Sequence, residues 1–248
     1  MQETTDTGIR INKYIAEAGI CSRREADRLI ADGKVLIDGN VAETGTKVTA
    51  GMWVSVNGKE ITNETEKVYL AFYKPRGIVC TAEKREKDNI IDFIHYPVRV
   101  TYCGRLDKDS EGLVILTNDG DIINKMMRAY NCHEKEYIVT VDKPVTEEFF
   151  KAMRSGVYLS ELETVTRPCQ AEKISETEFT IILTQGLNRQ IRRMCGTLGY
   201  QVKRLKRVRV MNVELGTLKT GTYRELTKAE IEELKRLTKQ SRSHAWTN

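Results

Sequence analysis

The sequence predicts an α+β protein in two parts, and three observations carry that expectation. Residues 9–61 show two short helical patterns followed by a small β unit. The stretch Thr62-Asn-Glu-Thr-Glu-Lys67 is polar throughout and reads as a linker. Beyond it, β-branched and aromatic runs dominate, with helical patterns interrupting them at irregular intervals. Strict β-α alternation is absent, as are G-x-G-x-x-G and the phosphate-loop glycine pattern, which argues against a nucleotide-binding parallel sheet.

In the first part, Ile11, Tyr14, Ile15 and Ala18 recur at helical spacing and Gly19 stops the segment. Ser22-Arg23-Arg24-Glu25 is a capping box: the Ser22 hydroxyl accepts from the Glu25 amide, and the Glu25 side chain reaches back. Ala26, Leu29 and Ile30 give the next helix an apolar stripe, and Gly33 is its C′ residue. Asp38-Gly39 and Asn57-Gly58, each between short apolar runs, predict two hairpins. In the second part, strands are predicted at Val68–Tyr73, Ile78–Thr81, Val98–Cys103, Leu113–Thr117, Tyr137–Val141, Thr164–Thr166, Phe179–Thr184 and Val202–Val210. Helices are predicted at Gly120–Arg128, at Thr146–Arg154 with Gly156 as the stop, and at Asn188–Leu198 with Asn188 as the cap. A second capping box, Thr227-x-x-Glu230, starts the last helix.

The 248 residues suffice for one or two domains at about 150 residues each. The longest strictly apolar run, Val68–Tyr73, falls far short of the roughly 20 residues that a membrane helix needs. Met1 to Arg10 hold Glu3 and Asp6 and no apolar signal core, so a cytoplasmic protein without membrane contact is expected. Cys21, Cys80, Cys103, Cys132, Cys169 and Cys195 form no C-x-x-C, and His95, His133 and His244 have no metal-ligand spacing. Dispersed thiols of this kind fit a reducing compartment, and no metal site is expected.

The net charge of +5 is unevenly spread. Gln185 to Arg209 holds eight Arg or Lys and no Asp or Glu, the footprint of a polyanion site. Arg23 and Arg24 lie in the first turn of a helix, where the dipole disfavours cations by a few tenths of a kcal/mol. Arg10 and Lys13 open the preceding helix. These residues either make surface salt bridges or grip phosphates together with the helix N-terminal amides. Gly104-Arg-Leu-Asp-Lys-Asp-Ser-Glu-Gly-Leu113 is a glycine-bounded loop crowded with functional groups, in which Asp107, Asp109 and Glu111 are equal candidates for a reactive carboxylate. Arg189, Arg192 and Arg193 share one helix face, which can bind phosphates or neutralise a buried carboxylate.

The run from Arg10 through Arg24 to about Ile61 resembles the alpha-L RNA-binding motif first known from a small-subunit ribosomal protein. That resemblance implies that Arg10, Lys13, Ser22, Arg23 and Arg24 face RNA. The remaining chain resembles the pseudouridine synthases, in the branch typified by RsuA, RluB, RluE and RluF. Five motifs come in family order: Lys74-Pro75-x-Gly77, the Gly104-Arg-Leu-Asp107 loop, Lys135-x-Tyr137, Asn188-Arg189-Gln-Ile-Arg192-Arg193-Met194, and Val202-x-x-Leu205-x-Arg207. Asp88–Phe93 and Gly186-Leu-Asn-Arg-Gln190 lean towards the RluF type, which acts on large-subunit (23S) ribosomal RNA, although relatives often carry Arg where this chain has Leu187.

The resemblance implies an alpha-L domain at 8–62, a catalytic domain at 67–240 on a mostly antiparallel mixed sheet with flanking helices, and a disordered tail at 241–248. It implies isomerisation of uridine to pseudouridine without metal or cofactor, by a monomer whose partner is a ribosomal RNA stem-loop. Asp107 matches the catalytic carboxylate and Arg192 the arginine paired with it. An adjacent guanidinium favours the ionised form of a carboxylate. Tyr137 matches the tyrosine stacked on the uracil, and Leu205 the apolar residue on its other side. Arg105 is placed to fill the gap left by a flipped base. Lys74, Asn188, Arg189 and Arg193 are expected at the substrate. Two competing readings are a non-catalytic RNA-binding or ribosome-assembly protein and, more weakly, an N-glycosidic hydrolase using Asp107. Presence of Asp107, Tyr137 and Arg192 together favours the synthase, since a pure binder needs none of the three.

Overall fold

The computed structural model describes residues 8–63, 65–127 and 132–239. The expected tail at 241–248 and the end of the helix predicted to Arg128 lie outside the described residues. The chain divides into two compact units: the residues up to Lys67 with Pro97–Arg99, and Val68–Tyr96 with the chain from Val100 onward.

The first unit contains β1 (Ile9–Arg10), α1 (Ile11–Glu17), α2 (Arg23–Ala31), β2 (Val35–Ile37), β3 (Asn40–Val41), β4 (Lys47–Val48), β5 (Val54–Val56) and β6 (Lys59–Ile61). An antiparallel sheet runs β3-β2-β5-β6, and β1 pairs with β4. Both hairpin turns place two residues in the left-handed region, Asp38 at φ 50° with Gly39 at 80° and Asn57 at 51° with Gly58 at 76°. That geometry matches the twist of the flanking strands. Ser22 caps α2, its Oγ accepting from the Glu25 amide at 3.1 Å. The Glu25 carboxylate turns to Arg28 at 3.2 Å rather than back to the cap. Ile11, Ile15, Ala26 and Ile30 from the helices pack on Val35, Val54 and Val56.

The second unit contains β7 (Tyr69–Lys74), α3 (Ile90–Ile94), β8 (Thr101–Cys103), β9 (Glu111–Thr117), α4 (Gly120–Met127), β10 (Lys135–Val141), α5 (Glu147–Ser155), β11 (Tyr158–Leu159), β12 (Thr164–Val165), β13 (Gln170–Lys173), β14 (Glu178–Leu183), α6 (Gln190–Thr197), β15 (Val202–Val210), β16 (Val213–Glu214), β17 (Tyr223–Glu225) and α7 (Lys228–Lys239). One mixed sheet runs β13-β14-β10-β15-β9-β7-β17, with β16 on β15 and β8 on β9. Every pairing in it is antiparallel except β15 with β9, so two antiparallel halves meet at one parallel seam. Gly112 lies opposite Arg207 at that seam with φ 112°, and a Cβ there would overlap the Arg207 carbonyl. Only glycine lets the two halves approach so closely.

Both faces of β7 and β9 are covered, which explains why Val68–Tyr73 reads as an unbroken apolar run. Tyr69, Ala71 and Tyr73 share a core with α4 and α7, whereas Leu70 and Phe72 share another with α3. In the other half, Val139, Phe179 and Leu205 pack against Phe149, Phe150 and Met194 of α5 and α6.

Three expectations are corrected. Ile78–Thr81 is a loop, joined to the chain by a single parallel bridge between Val79 and Asn89. Ile78 and Cys80 are apolar because they anchor that loop in the core. The strand predicted from Val98 begins at Thr101, because Pro97–Arg99 belongs to the first unit. Helix α6 begins at Gln190, with Arg189 rather than Asn188 at the N-cap position in a left-handed conformation. Edge strands β13 and β17 escape the sequence reading because their patterns, Gln-Ala-Glu-Lys and Tyr-Arg-Glu, bury almost nothing.

Candidate active site

The loop between β8 and β9 is held at both ends and open in its middle. Leu106 and Ser110 are buried, while Asp107 between them is part-exposed. The Ser110 amide donates to the Asp107 carbonyl at 3.1 Å, and the Gly77 amide to the Lys108 carbonyl at 2.7 Å. Two neighbouring segments are thereby clipped together. Buried Cys80 and Leu106 line one side of a cleft of about 540 Å³, whose walls include Arg105, Asp107, Lys135, Tyr137, Arg189 and Arg207. Strand β10 supplies Lys135 and Tyr137, β15 supplies Arg207, and the β14–α6 loop supplies Asn188 and Arg189.

The three candidate carboxylates part company here. Glu111 is buried, accepting from Arg204 Nε at 2.6 Å and the Tyr73 hydroxyl at 2.8 Å. Burial alone would raise its carboxyl, but those two donors outweigh it and hold it below the usual range. Asp109 faces Arg189 Nη1 at 3.3 Å and Nη2 at 3.4 Å, and Arg192 Nη2 at 3.3 Å. Burial again pushes upward, and the Arg189 hydrogen bond with both guanidinium charges overcomes it, so Asp109 also sits low. Asp107 alone of the three lines the cleft, with one ion pair at 3.4 Å to Arg189.

Arg192, expected on Asp107, instead reaches the Asp109 carboxylate, the Asp109 carbonyl and the Ser110 hydroxyl, each at 3.3 Å. Arg189 is the guanidinium that bridges Asp107 and Asp109. Helical spacing put three arginines on one face but could not say which carboxylate each would meet. Arg193 turns away to Glu161 and to the Asn188 carbonyl at 3.0 Å. Lys74 does not face the cleft: it is fully buried, and its Nζ donates to the carbonyls of Pro75 at 2.8 Å and Ile78 at 2.7 Å. Burial pushes this lysine down to about 8, and its place is that of a clip for the Pro75–Ile78 loop. Leu205 is also buried, in the α5–α6 core opposite Val139. Arg105, Asn188 and Arg189 are exposed at the cleft wall. In the first unit Arg10, Ser22, Arg23 and Arg24 are exposed, and Lys13 lies 3.6 Å from Glu17.

Sequence reasoning passed over Lys135 and Arg207 as site residues, although both stand inside the five family motifs. A β-bulge explains the second. Arg209 pairs with Glu136 and Arg207 with Tyr137, so residues two apart on β15 face consecutive residues of β10 and Val208 is the extra one. The extra residue turns Arg207 to the Tyr137 side and Arg209 to Glu136 and Glu134, reversing the plain alternation of a strand.

Comparison with known proteins assigns the family. The RNA pseudouridylate synthase family model matches residues 68–197, and the S4 domain model matches residues 9–54. The chain belongs to the RNA pseudouridylate synthase family. It is 52% identical over 243 residues to the dual-specificity RNA pseudouridine synthase RluF of Salmonella typhi, covering 97% of this chain and 83% of that one. Against ribosomal large subunit pseudouridine synthase B of Bacillus subtilis, identity is 37%, with 92% of this chain and 96% of that one covered. A crystal structure of a pseudouridylate synthase superimposes with a TM-score of 0.67 at 31% identity, covering 91% of this chain and 99% of that one. The synthase fold and the lean towards the RluF type agree with the sequence reading. The chain is thus an RNA-acting isomerase whose second unit carries the synthase fold.

Proposed function

We propose that this enzyme converts uridine to pseudouridine at a defined site of ribosomal RNA, in a stem-loop of the large-subunit RNA, with Asp107 as the reacting carboxylate. It acts in the cytoplasm as a monomer, with the first unit as an RNA-binding domain. The observation that supports this most is the fate of the three carboxylates. Asp109 and Glu111 are occupied by arginines, and Asp107 stands on the wall of a cleft roomy enough for a flipped nucleotide. The reaction breaks the N1–C1′ bond, turns the base, and forms C5–C1′; the C5 proton leaves and N1 gains one. No electron is exchanged with an outside reagent. In this reading Tyr137 offers its ring to the base, and exposed Arg105 takes the space of the flipped nucleotide. Arg189 orients Asp107 from 3.4 Å.

Asp107→Asn keeps the shape of the side chain and removes its charge. It is expected to cut single-turnover conversion of a large-subunit RNA transcript by at least ~100-fold, with RNA affinity within about threefold of wild type. Turnover near the wild-type rate overturns the assignment. Pseudouridine mapping across cellular RNA, with and without the enzyme, identifies the target; transfer RNA belongs in that survey because the RluF relatives are described as dual-specificity.

A further inference from the structure

Arg207 is only 2% exposed, yet it has no carboxylate within ion-pair distance among the described residues. Its Nε donates to the Leu113 carbonyl at 2.7 Å, while its Nη2 is buried without a hydrogen-bond partner. Its neighbours in sequence are different: Arg204 is tied to Glu111 and Arg209 to Glu134 and Glu136. A second cation stands beside it. Lys135 Nζ donates to the His133 carbonyl at 3.1 Å, which uses one of its three donors. Burial and then the charge of Arg207 push Lys135 down to about 8. Both residues line the cleft that holds Asp107.

Burying Arg207 without a counter-charge is expensive, and the half-buried Lys135 beside it adds to that cost. Such a field, fixed before the reaction, is useful only if negative charge arrives there. Resting on the assignment above, the reaction supplies that charge. When the N1–C1′ bond breaks, its electron pair stays with the base, which becomes an anion delocalised over N1 and the two carbonyl oxygens. Tyr137 is the cross-strand partner of Arg207, and Lys135 lies two residues from Tyr137 on the same strand face. A planar ring lying against Tyr137 therefore has its edge beside both cations.

We propose that Lys135 and Arg207 form a dicationic end of the cleft that holds the detached uracil anion between breakage of the N1–C1′ bond and formation of the C5–C1′ bond. The charge is relieved when the new bond forms, C5 releases its proton and N1 takes one up. A phosphate contact is the competing use of the same two cations. The salt dependence of RNA affinity separates the two uses, since a phosphate contact contributes to it and a base anion formed after binding does not.

The test uses the full-length enzyme, a large-subunit RNA transcript, and the variants Lys135→Met, Lys135→Arg and Arg207→Lys. Lys135→Met is expected to lower the single-turnover rate at saturating RNA by ~100- to 1000-fold. Its RNA affinity should stay within about threefold of wild type, with an unchanged salt slope. Lys135→Arg keeps the charge and is expected to recover the rate to within about tenfold of wild type, a recovery that a merely structural role does not predict. If Arg207→Lys fails to fold, the two part-exposed Lys135 variants decide alone. A Lys135→Met rate at saturation within about threefold of wild type overturns the proposal. So does a deficit confined to affinity with a salt slope flatter by ~0.7–0.9, the mark of a phosphate contact. Equal slowing in Lys135→Arg and Lys135→Met also overturns it, by showing shape rather than charge to matter. Asp107→Asn is assayed alongside; if that variant turns over normally, the assignment of Asp107 fails instead.

Discussion

Arg23 and Arg24 stand exposed in the first turn of α2 with no ion pair to either among the described residues, whereas Arg189, Arg192, Arg193, Arg204 and Arg209 each meet a carboxylate brought from elsewhere in the chain. In sequence the second group looks far more like a polyanion site, since no acid occurs from Gln185 to Arg209. In space Asp107, Asp109, Glu111, Glu134, Glu136 and Glu161 neutralise most of it. Charge density along a chain is therefore a poor guide to charge at a surface. On the proposed function, Arg23 and Arg24, set against their own helix dipole, are expected to be the better-placed phosphate contacts. The denser cluster is mainly a scaffold of arginine–carboxylate pairs, and among the described residues Lys203, Lys206 and Arg207 stand outside those pairs.

The sharpest way to break this contrast is to remove paired arginines of different burial. Arg192 is 14% exposed in its side chain and holds Asp109, Ser110 and the Val202 carbonyl together. Arg192→Leu frees the end of the Asp107 loop and leaves Arg189 to Asp109 alone. Turnover at saturating RNA is expected to fall ~100-fold, the usual penalty for a misplaced reacting group. Arg193 meets Glu161, whose side chain is 71% exposed. Arg193→Leu is expected to stay within about threefold of wild type, as exposed pairs contribute little. Equal rates for the two variants would end the distinction between scaffold and surface.

For the unpaired cluster the prediction concerns binding. Arg23→Gln combined with Arg24→Gln is expected to flatten the log–log salt dependence of RNA affinity by ~0.7–0.9 for each phosphate left without its arginine. The rate at saturating RNA should not change. Thermal stability should hold or rise by a few tenths of a kcal/mol, because two cations leave the positive end of a helix. An unchanged salt slope would show that exposure and lack of partners do not make these arginines RNA contacts.

Local features were legible in the sequence because neighbours in the chain decide them. The Asp38-Gly39 and Asn57-Gly58 turns, the Ser22 and Thr227 caps and the Gly104–Leu113 loop all lie where local chemistry puts them. Relations between distant segments were not legible. Whether Arg189 or Arg192 meets Asp107 depends on how α6 docks against a loop some 80 residues earlier, Arg189 and Asp109 being 80 positions apart. Ile78–Thr81 has strand composition because it plugs a core, not because it pairs. Lys74 and Leu205 belong to motifs, yet both are buried, which no motif spacing announces. The role of Arg207 hangs on one bulge that no alternation pattern announces.

The smallest expected effect tests whether a paired arginine far from the cleft behaves as the scaffold argument requires. Glu230, in the first turn of α7, accepts from Arg224 Nη2 at 2.7 Å and Nη1 at 2.8 Å, and from the Thr227 amide at 2.8 Å. The Arg224 hydrogen bonds, aided by Thr227, hold its carboxyl down at about 2 against an ordinary 4.5. A carboxyl depressed in the folded state stabilises that state fully above its unfolded value and loses the contribution as pH falls towards its folded value. Solvent screens the pair, so about 1 kcal/mol is expected rather than the full value of the shift. Glu230→Gln keeps a capping side chain at that position and removes only the charge. Urea midpoints should therefore separate the variant from wild type by about 1 kcal/mol at neutral pH. The gap should hold down to about pH 5 and close as pH falls from there towards 2. A gap that persists unchanged at about pH 2 would mean that shape and packing, not the Arg224 charge, are what Glu230 contributes.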